Sequence, residues 1–226
     1  MTQGMLTPPR RLARVKTMTD PAAPSRQRRP QAERTAETRA KLIQAAIVCL
    51  NRTGYSATTI STVADEAGVS RGAMTHQFPA KTDLMLAVVE AVFEEDGALY
   101  GRTIADMDPA AWLLALPETM WTVISRPAGI AVIEIMLASR SEPDLGEPLR
   151  RLQSRIDRQA HDWSVERIRA AGLEPHSESE AMHELFVAAV RGLAIEATFM
   201  KNTDGVHRSL RVLSETMLRL YPSLDT

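Results

Sequence analysis

Aromatic residues make up only 4% of this 226-residue chain, and cysteine occurs once, at Cys49. A single cysteine excludes an internal disulfide framework and any zinc cluster built on several thiolates. Cys49 falls on an apolar helix face, where it reads as a small buried hydrophobe rather than a redox sensor. Also missing are a glycine-rich phosphate loop, a Ser-His-Asp spacing and a nucleophile elbow, so no enzymatic activity and no cofactor are expected. No stretch approaches the ~20 apolar residues of a membrane span, because Glu90 and Pro117 interrupt the best candidates. The alternation that marks strands is absent too.

What the chain does have is charge of uneven placement. Lysine and arginine total 27 against 28 acidic residues, a net charge of −1. Residues 1–33 hold seven basic and two acidic residues along with Pro8, Pro9, Pro21, Pro24 and Pro30, a net of +5 that leaves −6 for residues 34–226. Such a segment cannot bury a core and is expected to be a disordered basic arm, with Met5 and Met18 as alternative starts. It lacks the apolar centre of a secretion signal.

The most informative segment is Val63 to Phe78, VADEAGVSRGAMTHQF. Ile60, Val63, Ala64 and Ala67 share one helical face, and Thr58 or Thr59 can cap that helix. Gly68 suits the left-handed turn that closes it, Val69 plugs the corner, and Ser70 caps the next helix. In Arg71 to Phe78, Met74 and Phe78 lie four apart and face inward. Arg71, Gly72, Ala73, Thr75, His76 and Gln77 are left for another surface. An amphipathic helix precedes (Leu42, Ile43, Ala46, Ile47, Leu50), ending at Asn51-Arg52-Thr53-Gly54-Tyr55, and another begins at Lys81 after Phe78-Pro79. From Arg34 to Lys81 there are six basic and three acidic residues, a balance suited to phosphate contact.

On these motifs, NRTGYSATTI, ADEAGVSRGAM and FPAKTDLM, residues 36 to 95 resemble the DNA-binding domain of the TetR family of bacterial transcriptional regulators. The resemblance implies that the helix from Arg71 enters the major groove of double-stranded DNA. It places Thr59 and Lys81 on phosphates, Arg71, Gly72 and Ala73 near base edges, and Thr75, His76 and Gln77 beside them. Two positions depart from the family. Thr75 stands where an aromatic residue, usually Tyr, is common, and Ala80 where a capping side chain is common. Weaker operator binding is expected from both.

Beyond Lys81 the chain reads as helices over 81–101, 109–125, 128–141, 145–171, 178–201 and 205–221. The expected architecture is all-α: a three-helix helix-turn-helix domain at 34–81, fused to a larger helical ligand-binding and dimerisation bundle at 82–226, about nine helices in all. In the 178–201 helix, Met182, Phe186, Ala189, Leu193 and Met200 form one apolar stripe. Ala181, Leu185, Ala188, Gly192 and Ile195 form a second, one stripe serving the core and the other a second copy of the chain. Leu210, Leu213 and Met217 repeat at helical spacing and join the expected homodimer interface, which resembles the family's two-fold four-helix mode. A dimer would read a near-palindromic operator.

The family places an effector pocket above the DNA-binding domain. Phe93, Trp112, Met120, Trp121, Ile133, Met136 and Trp163 are candidates for its walls, with Arg140 and His161 as polar contacts. The expectation is a cytoplasmic repressor that leaves its operator when a small organic effector, an aromatic or amphipathic acid, binds. The alternatives are a regulator without small-molecule control and a helical metal protein on His161, His176, Glu178, Glu180 and His183.

Overall fold

In the computed structural model, residues 31–200 and 204–221 are described, and among them there are nine helices and no strand. They are α1 (Gln31–Ala57), α2 (Ile60–Ala67), α3 (Arg71–Gln77), α4 (Lys81–Ile104), α5 (Pro109–Ile124), α6 (Pro127–Ala138), α7 (Pro143–Ala170), α8 (Ser179–Met200) and α9 (Asp204–Leu220). Residues 1–30 of the expected basic arm lie outside the described residues, and Gln31–Glu33 form the first turn of α1.

Local chemistry sets these ends. Gly54 (φ 74°) breaks α1 with a left-handed backbone before the chain turns toward α2. Pro127 and Pro143 open α6 and α7, where a missing N–H costs nothing. The α5–α6 corner bends by 79°, and a Cβ built on Gly129 would run into the carbonyl of Ile124. No single described helix is long and apolar enough to cross a membrane.

Side chains pack into two centres. The first joins Leu42, Ala46 and Leu50 of α1, Val63 of α2 and Met74 of α3 to Leu84, Val88 and Val92 of α4, Ile135 of α6 and Leu145 of α7. It runs straight through position 81, so residues 34–81 and the start of 82–226 share one core. The second lies at the far end, where Ile104, Trp112, Leu113, Ile168, Phe186, Met217 and Tyr221 are buried together. A smaller cluster of Val190, Val206 and Leu210 ties α8 to α9.

Candidate nucleic-acid interface and effector chamber

Reciprocal caps hold α2 and α3 as a corner. The Thr62 N–H donates to the Thr59 hydroxyl (3.1 Å) while the Thr59 N–H donates to the Thr62 hydroxyl (2.8 Å), satisfying two donors at the start of α2. Gly68 adopts φ 64°, ψ 34°, and the Val69 N–H returns to the Ala64 carbonyl at 3.0 Å. The Ser70 hydroxyl then accepts from the Ala73 N–H at 3.2 Å and starts α3. Met74 and Phe78 anchor α3 in the core, both buried. Arg71, Gly72, Thr75 and His76 are exposed, with Ala73 and Gln77 half-buried beside them. The six residues expected to read DNA thus share one outer surface.

Three positions carry contacts that the sequence does not show. The Thr75 hydroxyl donates to the Arg71 carbonyl (3.0 Å), so its one proton is already used within α3. Ala80 offers no side-chain cap, but Asp83 Oδ2 accepts the Ala80 N–H at 3.1 Å and half restores the missing cap. Lys81 is half-buried, and its ammonium donates to the Tyr55 carbonyl at 2.7 Å above the Tyr55 ring, burial pulling its pKa down.

The reading corner is wired to the bundle through α1 and α6. Asn51 Nδ2 donates to the Pro127 carbonyl at 2.6 Å. The adjacent Arg126 pairs with Glu95 (3.1 Å) and Asp96 of α4. Burial outweighs the Arg126 charge and pushes the Asp96 carboxyl up to about 6. Cys49 is buried, and burial raises its thiol pKa, which keeps it unreactive.

The expected effector residues divide among five places. Trp112, Met120 and His161 border a cavity of about 40 Å³ with Met182, His183 and Phe186. His161 Nε2 lies 3.2 Å from the Ser179 hydroxyl, and the His161 and His183 rings are 6.1 Å apart. Burial, reinforced by His161, lowers the His183 pKa. Phe93 and Ile133 line a second cavity, of about 80 Å³, with Asp96, Gln153 and Arg191. Trp163 packs edge-on against Trp112 (5.5 Å) and Tyr100 (5.1 Å). Trp121 and Met136 pack in the cores, and Arg140 is exposed at the α6–α7 corner, away from both cavities. Sequence reasoning missed Tyr100 and Arg167, which meet Trp112 and Trp163 only through the packing of α4, α5 and α7.

On α8, Ala181, Leu185, Ala188, Gly192 and Ile195 are all exposed and continue to Phe199, which is 65% accessible. The α9 part of the expected interface needs correction. Leu210 and Met217 are buried inside the protomer and Leu213 is half-buried, packed on both far clusters, because these residues form the inward stripe of α9. Its outward apolar residue is Val212, 60% accessible. The histidines and acids of the metal alternative do not gather: among the described residues no three His, Cys, Asp or Glu side chains converge, and His176 Nδ1 instead accepts the Glu178 N–H.

Comparisons with known proteins agree with this geometry. The profile of the "Bacterial regulatory proteins, tetR family" matches residues 42–88, from the middle of α1 into α4. The chain is 31% identical over 186 residues to the HTH-type transcriptional regulator CymR of Pseudomonas putida, spanning 81% of this chain and 91% of that one. Among solved structures, a protein described as a TetR-family transcriptional regulator from Rhodococcus sp. superposes with a TM-score of 0.66 at 18% identity, over 80% of this chain and 99% of that one. The multidrug binding protein EbrR, complexed with imidazole, superposes with a TM-score of 0.57 at 21% identity, over 80% and 93% of the two chains.

Proposed function

The chain belongs to the TetR family of bacterial transcriptional regulators, and from that premise we propose that it is a homodimeric repressor released from its operator by a small organic acid. The observation that carries operator reading is the outer face of α3, where Arg71, Gly72, Thr75 and His76 are exposed over a buried Met74–Phe78 anchor. Arg71 through Ala73 approach base edges, while Thr59, Lys81 and the flank of Thr75, His76 and Gln77 meet phosphate or groove edge. The exposed apolar stripe of α8 meets its copy in a second chain, which sets two α3 helices about one or more helical turns of DNA apart. Acting on chromosomal DNA, the protein works in the cytoplasm, with residues 34–81 as reader and 82–226 as sensor and dimer unit.

Release follows from shared packing. The cavity beside Trp112, about 40 Å³, has room for only a few waters, far below the roughly 300–1,000 Å³ of a drug-sized ligand site. A ligand entering it must therefore spread α5, α7 and α8. That motion reaches the reader through α4 and α6, which Arg126 ties together, and passes from α6 to α1 by way of Asn51. Ligand and operator then compete through conformation, a coupling usually worth about 1–3 kcal/mol and necessarily reciprocal. Selection from random duplex DNA by the purified chain should enrich an inverted repeat. Enrichment of single half-sites only, or of nothing, overturns the reading.

A further inference from the structure

Arg167, on α7, is the one described residue whose buried side-chain nitrogens lack a partner: Nε and Nη2 are shielded from solvent and hydrogen-bond to nothing. The guanidinium sits among aromatic rings, its Cζ 5.4 Å from the centre of Trp112 and 5.9 Å from that of Trp163. Ring faces attract the cation, but they leave its in-plane N–H groups without acceptors. Burying such donors unpaired is costly, so a fold retains them where something else completes them. The missing partner has a defined shape. Two adjacent N–H groups in a fixed plane match the two oxygens of a carboxylate. Tyr100 adds a third donor: its oxygen accepts the Trp112 Nε1–H at 2.7 Å, while its own proton has no acceptor among the described residues.

We propose that Arg167 is the anchor of the effector site, binding the carboxylate of an aromatic acid through Nε–H and Nη2–H, with Tyr100 donating to the same group and Trp112 and Trp163 flanking the ring. The assignment rests on the ligand-responsive reading and replaces Arg140 as the charged contact. It joins the site to the cavity already described, because Trp112 forms the wall of that cavity and Ile168 follows Arg167 along α7. Room for the ring comes from Met120, Met182 and Met217, whose unbranched side chains re-pack readily.

The test uses the purified full chain without DNA, with tryptophan fluorescence and calorimetry as readouts. Benzoate, phenylacetate and 3-phenylpropionate are each compared with the amide of the same shape. At least one acid should bind tenfold or more tightly than its amide. In Arg167→Gln that preference should collapse to about one, with the amide unaffected. If Arg167→Gln does not fold, Arg167→Lys carries the test: it keeps the charge, loses the fork, and should weaken the acid fivefold or more. Tyr100→Phe should weaken the same acid several-fold. Equal binding of acid and amide, an undiminished preference in the Arg167 variants, or no binding of any of the three acids at millimolar concentration overturns the assignment. Operator binding measured in parallel keeps the two readings apart. An acid that binds through Arg167 without loosening the operator leaves the site standing and removes the release mechanism, whereas loss of operator binding itself removes the regulator.

Discussion

The ammonium of Lys81 stands 2.7 Å from the carbonyl oxygen of Tyr55 and 3.6 Å above the centre of the same residue's ring. One side chain thus ties the end of α1 to the start of α4, across the loop beyond α3. Of its three N–H groups only one is spent on Tyr55, so two donors remain for the phosphate contact proposed for it. Lys81→Met keeps the stem and removes the charge. It should lower stability by about 1–2 kcal/mol, the worth of a charged hydrogen bond partly open to water, and reduce the salt dependence of operator binding by about one ion. Thermal melts and a salt titration check the two effects separately, and an unchanged slope would show that Lys81 is a brace alone.

At Thr75 the hydroxyl proton is consumed by the Arg71 carbonyl, so the side chain brings no free donor to DNA. Thr75→Tyr supplies a phenolic O–H on a longer reach from an exposed position. One added hydrogen bond is worth about 1 kcal/mol, which is roughly a fivefold gain in operator affinity. Fluorescence anisotropy with the selected operator measures it, and an equal or weaker affinity counts against the loss argued for Thr75.

The helix-turn-helix was legible in the sequence because its determinants are local: a cap at Thr58 or Thr59, which the structure places on Thr59, a left-handed turn at Gly68, a cap at Ser70 and a four-residue step from Met74 to Phe78. Helix ends beyond Lys81 were legible to within a few residues, since proline opens α6 and α7. Periodicity failed at α9 since it identifies a face without saying what the face meets, and Leu210 and Met217 turned inward. The Arg167 environment could not be read from spacing at all. Tyr100, Trp112 and Trp163 are contributed by three helices, and only their packing reveals a guanidinium without a partner.

The two kinds of apolar residue on α8 and α9 should respond differently to substitution. Leu185 is 62% accessible in the protomer, so Leu185→Glu costs little within one chain but places charge at the centre of the proposed interface. Sedimentation should show monomers with near-native helix content, and operator affinity should fall by more than tenfold as two-site reading is lost. Leu210 is completely buried, and Leu210→Ala should cost about 2–5 kcal/mol. A Leu185→Glu variant that stays dimeric would move the interface off this stripe.

At the α5–α6 corner, Gly129 leaves no room for a side chain beside the Ile124 carbonyl. Gly129→Ala must separate the two helices or distort the corner, at a cost of about 1–3 kcal/mol by analogy with overpacked cores. Because α6 also carries the Asn51 and Arg126 contacts, the variant should weaken operator binding beyond its loss of stability. Calorimetric melting together with anisotropy below the melting range tests this, and unchanged values for both would overturn it.

The Asp96–Arg126 pair gives the fold a pH dependence of definite sign. The folded carboxyl titrates at about 6 against an ordinary 3.8, so the folded state holds this proton more tightly than the unfolded state. The stabilisation from Asp96 is therefore fully present below pH 3.8 and is lost as the pH rises through 6. Its ceiling is about 3 kcal/mol, reduced by the partial exposure of the pair. Asp96→Asn removes the titration while leaving Glu95 to hold Arg126, so the variant's melting temperature relative to the parent should climb between pH 4.5 and 7.5. A gap that stays constant would mean that Arg126 already offsets the burial of Asp96. A gap that narrows would mean that the ion pair dominates and that ionised Asp96 stabilises the α4–α6 contact at neutral pH.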